Sequence, residues 1–102
     1  MPKNKYQIRF LKIAEEDFTE IVSYIAADNS KAANVIETKI EENLELLSVD
    51  PLLGRIPRDE EIRKLRYRCI IVQNYIIFYT IENKTIYIYR ILHSAKNYKS
   101  IL

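Results

Sequence analysis

Three runs rich in Ile, Val and Tyr follow one another in the last 41 residues of this chain, separated only by Gln73-Asn74 and Asn83-Lys84. A two-residue polar connection sends an extended chain straight back alongside itself, as an antiparallel hairpin. The runs read as strands over about 62–72, 75–82 and 85–93, a three-stranded meander. Side chains on a strand alternate between faces. Lys64, Arg66 and Arg68 are therefore expected on one face of the first run, with Leu65, Tyr67, Cys69 and Ile71 turned into a core. Arg90, His93, Lys96 and Tyr98 gather at and beyond the end of the last run. A small sheet with a basic, aromatic-rimmed face suits an anionic partner.

The first half has a different period. Residues 6–13 read as a weakly alternating strand rich in Ile, Phe and Leu. Ala14-Glu15-Glu16-Asp17 then opens a helix, its acids placed where the positive end of the helix dipole favours them. Phe18, Ile21, Val22 and Ile25 form one apolar stripe along it. Asp28-Asn29-Ser30 breaks the pattern, and Ser30 is the expected N-cap of a second helix over about 31–49. That helix lines up Ala33, Ile36, Ile40, Leu44 and Leu47, and Asp50-Pro51 ends it. Such a short break predicts an antiparallel helical hairpin. The loop over 51–57 holds the only glycine, Gly54, expected to supply a positive φ. The order is β-α-α-β-β-β: an α+β single domain over 1–102, with the hairpin covering one face of a small, mainly antiparallel sheet.

A chain of 102 residues supports one core rather than two. Its net charge of +2 conceals an asymmetry. Residues 1–50 carry 6 Lys/Arg against 10 Asp/Glu, and residues 51–102 carry 10 against 4. The acidic half is either the solvated back of the hairpin or a docking face for a basic partner. No stretch approaches the roughly 18–20 apolar residues of a membrane span, and no signal-peptide core follows the basic start. A cytoplasmic protein without membrane contact is the expectation. One cysteine, Cys69, cannot form an internal disulfide.

One His and one Cys cannot build a typical metal site, and one Gly cannot build a phosphate loop, so no metal and no cofactor is expected. What remains is cationic electrostatics with a possible proton donor, able to bind phosphate or to steady charge during phosphoryl transfer. His93 is either a structural strand-end group or an acid–base group suited to neutral pH. Arg90, on an otherwise apolar parity with Ile86, Ile88 and Leu92, is either a buried ion-pair anchor or a ligand contact at the sheet edge. Tyr87 and Tyr89 suit packing better than base stacking.

Several pieces, in order, resemble the RelE/ParE superfamily of type II toxin–antitoxin toxins over nearly the whole chain. They are Ala14-Glu15-Glu16-Asp17-Phe18, Ile21 with Tyr24-Ile25, Ala32-Ala33, Leu47, Pro51-x-x-Gly54-Arg55, Arg63-Lys64-Leu65, 74–79 and Arg90-Ile91-Leu92-His93. The resemblance implies a growth-arresting toxin of the plasmid-stabilisation type, neutralised by a cognate antitoxin in a toxin–antitoxin hetero-oligomer. RelE-like members cleave mRNA on the ribosome without metal; ParE-like members inhibit DNA gyrase. Under the first activity the resemblance implies that Arg66, Arg68 and Lys96 hold phosphate and that His93 or Tyr98 moves protons. Arg55, Lys64 and Arg90 would be binding residues. Arg66 and Arg68 fall where RelE-like toxins place two strand lysines. Tyr75 replaces an arginine of those toxins, and His93-Ser94-Ala95-Lys96 replaces a His-x-Arg-Arg-like pattern. These departures count against RNA cleavage, and the helical hairpin and the Pro51-x-x-Gly54-Arg55 stretch look ParE-like, so gyrase inhibition is the expectation. The alternatives are a ribosome-dependent endoribonuclease and a degenerate toxin that keeps only antitoxin binding.

Overall fold

The computed structural model describes residues 5–96 and 100–102. Its elements are β1 (Gln7–Phe10), α1 (Lys12–Asp28), α2 (Ser30–Val49), a 3-10 turn (Pro51–Leu53), α3 (Glu60–Lys64), β2 (Arg68–Val72), β3 (Tyr75–Glu82) and β4 (Thr85–His93). The sheet order is β1-β4-β3-β2, with β1 parallel to β4 and the other neighbours antiparallel. The three helices pack on this mixed sheet as an α+β fold. Both meander turns stand where the sequence places them, and Gln73 and Asn83 take φ values of 56° and 57°. That left-handed first position bends a two-residue hairpin with the twist of its strands.

The α1–α2 hairpin turns on one residue. The Asn29 backbone N–H donates to the Ile25 carbonyl at 2.8 Å, closing α1. Its side chain accepts from the Ala32 amide at 3.0 Å, opening α2. Asn29, not Ser30, is therefore the N-cap, and Ser30 already lies inside the helix. The expected stripe of Ala33, Ile36, Ile40, Leu44 and Leu47 is buried. It meets Ile70, Val72, Ile77, Tyr79, Ile86, Ile88 and Ile91 from the sheet. On the other face a smaller core of Ile62, Cys69, Ile76, Phe78 and Leu92 lies beneath Tyr67 and Leu102.

Three expectations need correction. The first strand stops at Phe10 rather than Ile13, and α1 starts at Lys12. The Leu11 carbonyl accepts from the Ala14 and Glu15 amides at 2.9 and 3.1 Å, so the helix opens at once and takes residues 12 and 13 from the strand. Asp17 consequently lies beyond the first turn. The second correction concerns 62–72. Asp59 accepts from the Ile62 amide at 3.1 Å and caps α3, with Glu60 and Glu61 in its first turn and Arg63 and Lys64 in its last. These charges complement the helix dipole. They hold the segment as a short helix until Arg66, at φ 66°, turns it into β2. Lys64, Arg66 and Arg68 thus do not share a strand face. Leu65 and Ile71, expected in the core, are 50% and 52% exposed, whereas Ile70 and Val72 face the hairpin.

The third correction is Gly54. Its φ is −72°, so no left-handed backbone requires a glycine there. Space does. A Cβ would collide with the Tyr79 hydroxyl and would lie 2.8 Å from the Cys69 carbonyl oxygen. Gly54→Ala is expected to destabilise the fold by about 1–3 kcal/mol through overpacking. Urea unfolding checks this, and an unchanged midpoint would show that the loop moves away freely.

Candidate functional site

Arg68 opens β2 on the hairpin face, opposite Tyr79. Its Nη2 donates to the Gly54 carbonyl at 2.8 Å and to the Leu52 carbonyl at 3.3 Å. Its Nε is buried without a partner among the described residues. Tyr79 works on the same loop from below. Its hydroxyl donates to the Pro51 carbonyl at 2.8 Å and accepts from the Gly54 amide at 3.0 Å. Burial pushes the Tyr79 phenol above its ordinary range, opposed by the nearby Arg68 guanidinium and by the hydrogen bond from the Gly54 amide. Arg68 is accordingly committed to the loop on one side. On the other it joins Arg63, Arg66 and Tyr67 around a cleft of about 450 Å³.

Arg55 sits on the outer edge of β2. Its backbone N–H and carbonyl each bond Cys69 at 2.9 Å, adding one antiparallel rung to the sheet. With Arg58 it rims a second cleft of about 390 Å³, floored by Ile62, Cys69, Ile76 and Phe78. Burial raises the Cys69 thiol above its ordinary range, against the pull of Arg55 and Arg68. Lys64 ends α3 on the exposed surface.

The remaining candidates lie elsewhere. Arg90 forms a two-point ion pair with Asp17 of α1, Nε to Oδ2 at 2.7 Å and Nη2 to Oδ1 at 2.9 Å. That carboxylate raises the guanidinium further above its ordinary range. His93 stands at the end of β4 with its ring edge-on to Tyr75, centroids 5.3 Å apart. Its Nδ1 accepts from the Ala95 amide at 3.0 Å. His93 and Lys96 line a groove of about 370 Å³ with Ile21, Tyr24, Tyr75 and Ile91. Tyr98 lies outside the described residues. A further depression of about 660 Å³ over Phe10, Phe18 and Glu15 contains none of the candidates.

The structure therefore brings Arg66 and Arg68 together and His93 and Lys96 together, but not the two pairs. Arg68 is opposite Tyr79 and His93 opposite Tyr75, so four strand steps, roughly 13 Å, separate them along β3. Buried Ile70, Val72 and Ile77 lie between under the hairpin. Among the described residues no three His, Cys, Asp or Glu side chains gather as a metal site needs, and no helix is long and apolar enough to cross a membrane. Sequence reasoning missed Asp17 and Tyr79 as anchors. For Asp17 the available signal was an unmatched Arg90 on an apolar parity.

Residues 8–98 match the family model for the ParE toxin of type II toxin–antitoxin systems, parDE. The chain belongs to this family. No curated protein matches it in sequence. Among solved structures it is similar to the chromosomal ParDE toxin–antitoxin system from P. aeruginosa, at TM-score 0.69 and 16% identity, over 89% of this chain and 98% of that one. It is also similar to the toxin–antitoxin complex RelBE2 from Mycobacterium tuberculosis, at TM-score 0.61 and 24% identity, over 87% and 98%. At these identities the likeness is one of fold, shared by ParE-type and RelE-type structures alike.

Two measurements check the roles drawn here. Arg68→Ala should cost about 1.5–3 kcal/mol of stability, the worth of hydrogen bonds from a charged donor. Arg66→Ala, at an exposed turn, should stay within about 0.5 kcal/mol. Urea unfolding of both ranks them, and equal losses would contradict the assignment of Arg68 to the loop. The second is alkaline titration. Tyr79 and Cys69 ionise less readily folded than unfolded. Their contribution to stability is complete below the unfolded-state values and is lost as pH rises through the raised folded ones. Tyr79→Phe should flatten the alkaline fall in thermal midpoint, with Cys69→Ser as the companion variant.

Proposed function

We propose that this ParE-family toxin acts in the cytoplasm as a protein ligand of DNA gyrase, arresting growth without chemistry of its own, and that a cognate antitoxin neutralises it. The observation that carries this reading is the dispersal of its charged candidates. Arg90 is held by Asp17 and Arg68 by the Pro51–Leu53 turn and Gly54, while His93 lies roughly 13 Å of strand away from Arg68. An acid–base group must stand within hydrogen-bond reach of the proton it moves, with the charge-stabilising donors around the same atoms. Two pairs separated by buried aliphatic side chains do not offer that. They suit a surface recognised by a protein.

A second reading keeps one specific observation in its favour. Arg63, Arg66, Arg68 and Tyr67 share a cleft. Three guanidinium groups beside an aromatic ring suit a phosphate and a base. Under this reading the toxin is a metal-independent, ribosome-dependent endoribonuclease.

Regulated expression in a bacterial host separates the two. Growth, a DNA-damage reporter and mRNA 5′ ends are followed together, with gyrase supercoiling assayed on the purified chain. The expected outcome is arrest, an induced damage response, intact mRNA and inhibited supercoiling. New codon-phased mRNA ends that disappear in the Arg66→Ala, Arg68→Ala double variant would replace this reading with the endoribonuclease. Normal growth from a soluble, folded product would mark a degenerate toxin that retains antitoxin binding.

A further inference from the structure

Directly opposed residues of neighbouring strands share a face. On β4 the pairs Ile81–Ile86 and Tyr79–Ile88 place even-numbered residues under the hairpin. Further on, Ile77–Ile91 and Tyr75–His93 place odd-numbered residues there. The change occurs at Tyr89, an extra residue between Ile88, opposite Tyr79, and Arg90, opposite Phe78. This is a β-bulge. Without it the register would set Arg90 opposite Ile77, beneath the hairpin. Leu92 would then oppose Tyr75, and Ile91 would move to the second face. A one-residue slip exchanges every side chain beyond it.

The bulge is held from α1. β1 ends opposite Ile88, and Asp17 meets β4 just past that point. Its Oδ2 accepts from Arg90 Nε at 2.7 Å and from the Ile91 backbone N–H at 3.0 Å, and its Oδ1 accepts from Arg90 Nη2 at 2.9 Å. One carboxylate thus fixes the guanidinium beside the bulge and the amide that follows it. The competing register would bury that guanidinium among Ile77, Ile88 and α1, at the cost of an uncompensated charge.

We propose that Asp17 is the positioning residue for the groove between α1 and the end of β4. By holding the bulge it selects the register that turns Ile91 and His93 toward Ile21 and Tyr24. Both its oxygens are occupied within the fold, so it acts through the backbone of β4 rather than as a contact for a partner.

His93 is the only histidine, so its ring signals report the register directly. In the Asp17→Asn, Arg90→Leu double variant both charges are gone and the regular register becomes accessible. The expected result is a folded chain with stability close to the parent's, in which the nuclear Overhauser contacts between the His93 and Tyr75 rings are lost. A folded double variant that keeps those contacts overturns the proposal. Where the double variant does not fold, Asp17→Ala, which removes both acceptor oxygens, decides by amide exchange. Ile91 should exchange about tenfold faster, the loss of one hydrogen bond to a charged acceptor, while Ile77 and Ile88 hold their protection. An unchanged Ile91 rate overturns the proposal.

Discussion

Tyr79 is buried completely, hydroxyl included, beneath the segment that joins the helical hairpin to the rest of the sheet. A buried hydroxyl without partners would cost several kcal/mol, and the chain has arranged two. Because the hydroxyl both donates to Pro51 and accepts from Gly54, the connecting loop must lie flat against β3. Gly54 follows from that closeness, and so does the orientation of Arg68, whose guanidinium seals the same loop from outside. The Arg55 rung on β2 continues the arrangement one residue further. A single phenol therefore sets the end of α2, the edge of the sheet and the role of one arginine.

The parts of this fold legible in the sequence are those where one local signal acts without competition. The two-residue turns fixed β3 and β4 to the residue, and the 3.6-residue period identified the buried side of α2. The stretch 59–68 was misread because an alternation of charged and apolar residues outranked a stronger local signal. Asp59 followed by two glutamates, with Arg63 and Lys64 a turn later, is a capped helix complementing its own dipole. At the hairpin, Asn29 and Ser30 are both good caps, and choosing between them needs the conformation of the link itself. Gly54 was assigned to the wrong property: its value is a missing side chain rather than a permitted φ. The candidate residues could be named from the sequence, but their arrangement could not. The strand parity of 85–93 set Arg90 and Leu92 with Ile86 and Ile88, but the bulge at Tyr89, invisible to a period of two, turns both to the second face and places His93 with Ile91.

Charge in this protein is divided among tasks rather than concentrated. The carboxylate of Asp17 and the guanidinium of Arg90 join α1 to β4, at positions 73 apart in sequence. Asp59 starts a helix and Arg68 closes a loop. The side chains left over, among them Arg55, Arg66, His93 and Lys96, are spread over clefts on different sides of the sheet. The fold, shared by ParE-type and RelE-type structures, does not by itself fix a target.

The parallel pairing of β1 with β4 has a consequence for how the protein comes into being. Gln7 and Thr85 stand side by side, although almost the whole chain separates them in order of synthesis. The helical hairpin and the β2–β3–β4 meander close over short distances, whereas this last contact carries the entropy of the longest loop in the molecule. A nascent chain can build its hairpin while translation continues, yet β1 has no strand to join until β4 has left the ribosome. Ile8 and Phe10, which pack on the main core, lack their neighbours on β4 until then. The interval between synthesis and completion is one in which the first strand is exposed to whatever binds extended apolar segments, and the finished toxin exists only after that interval has passed.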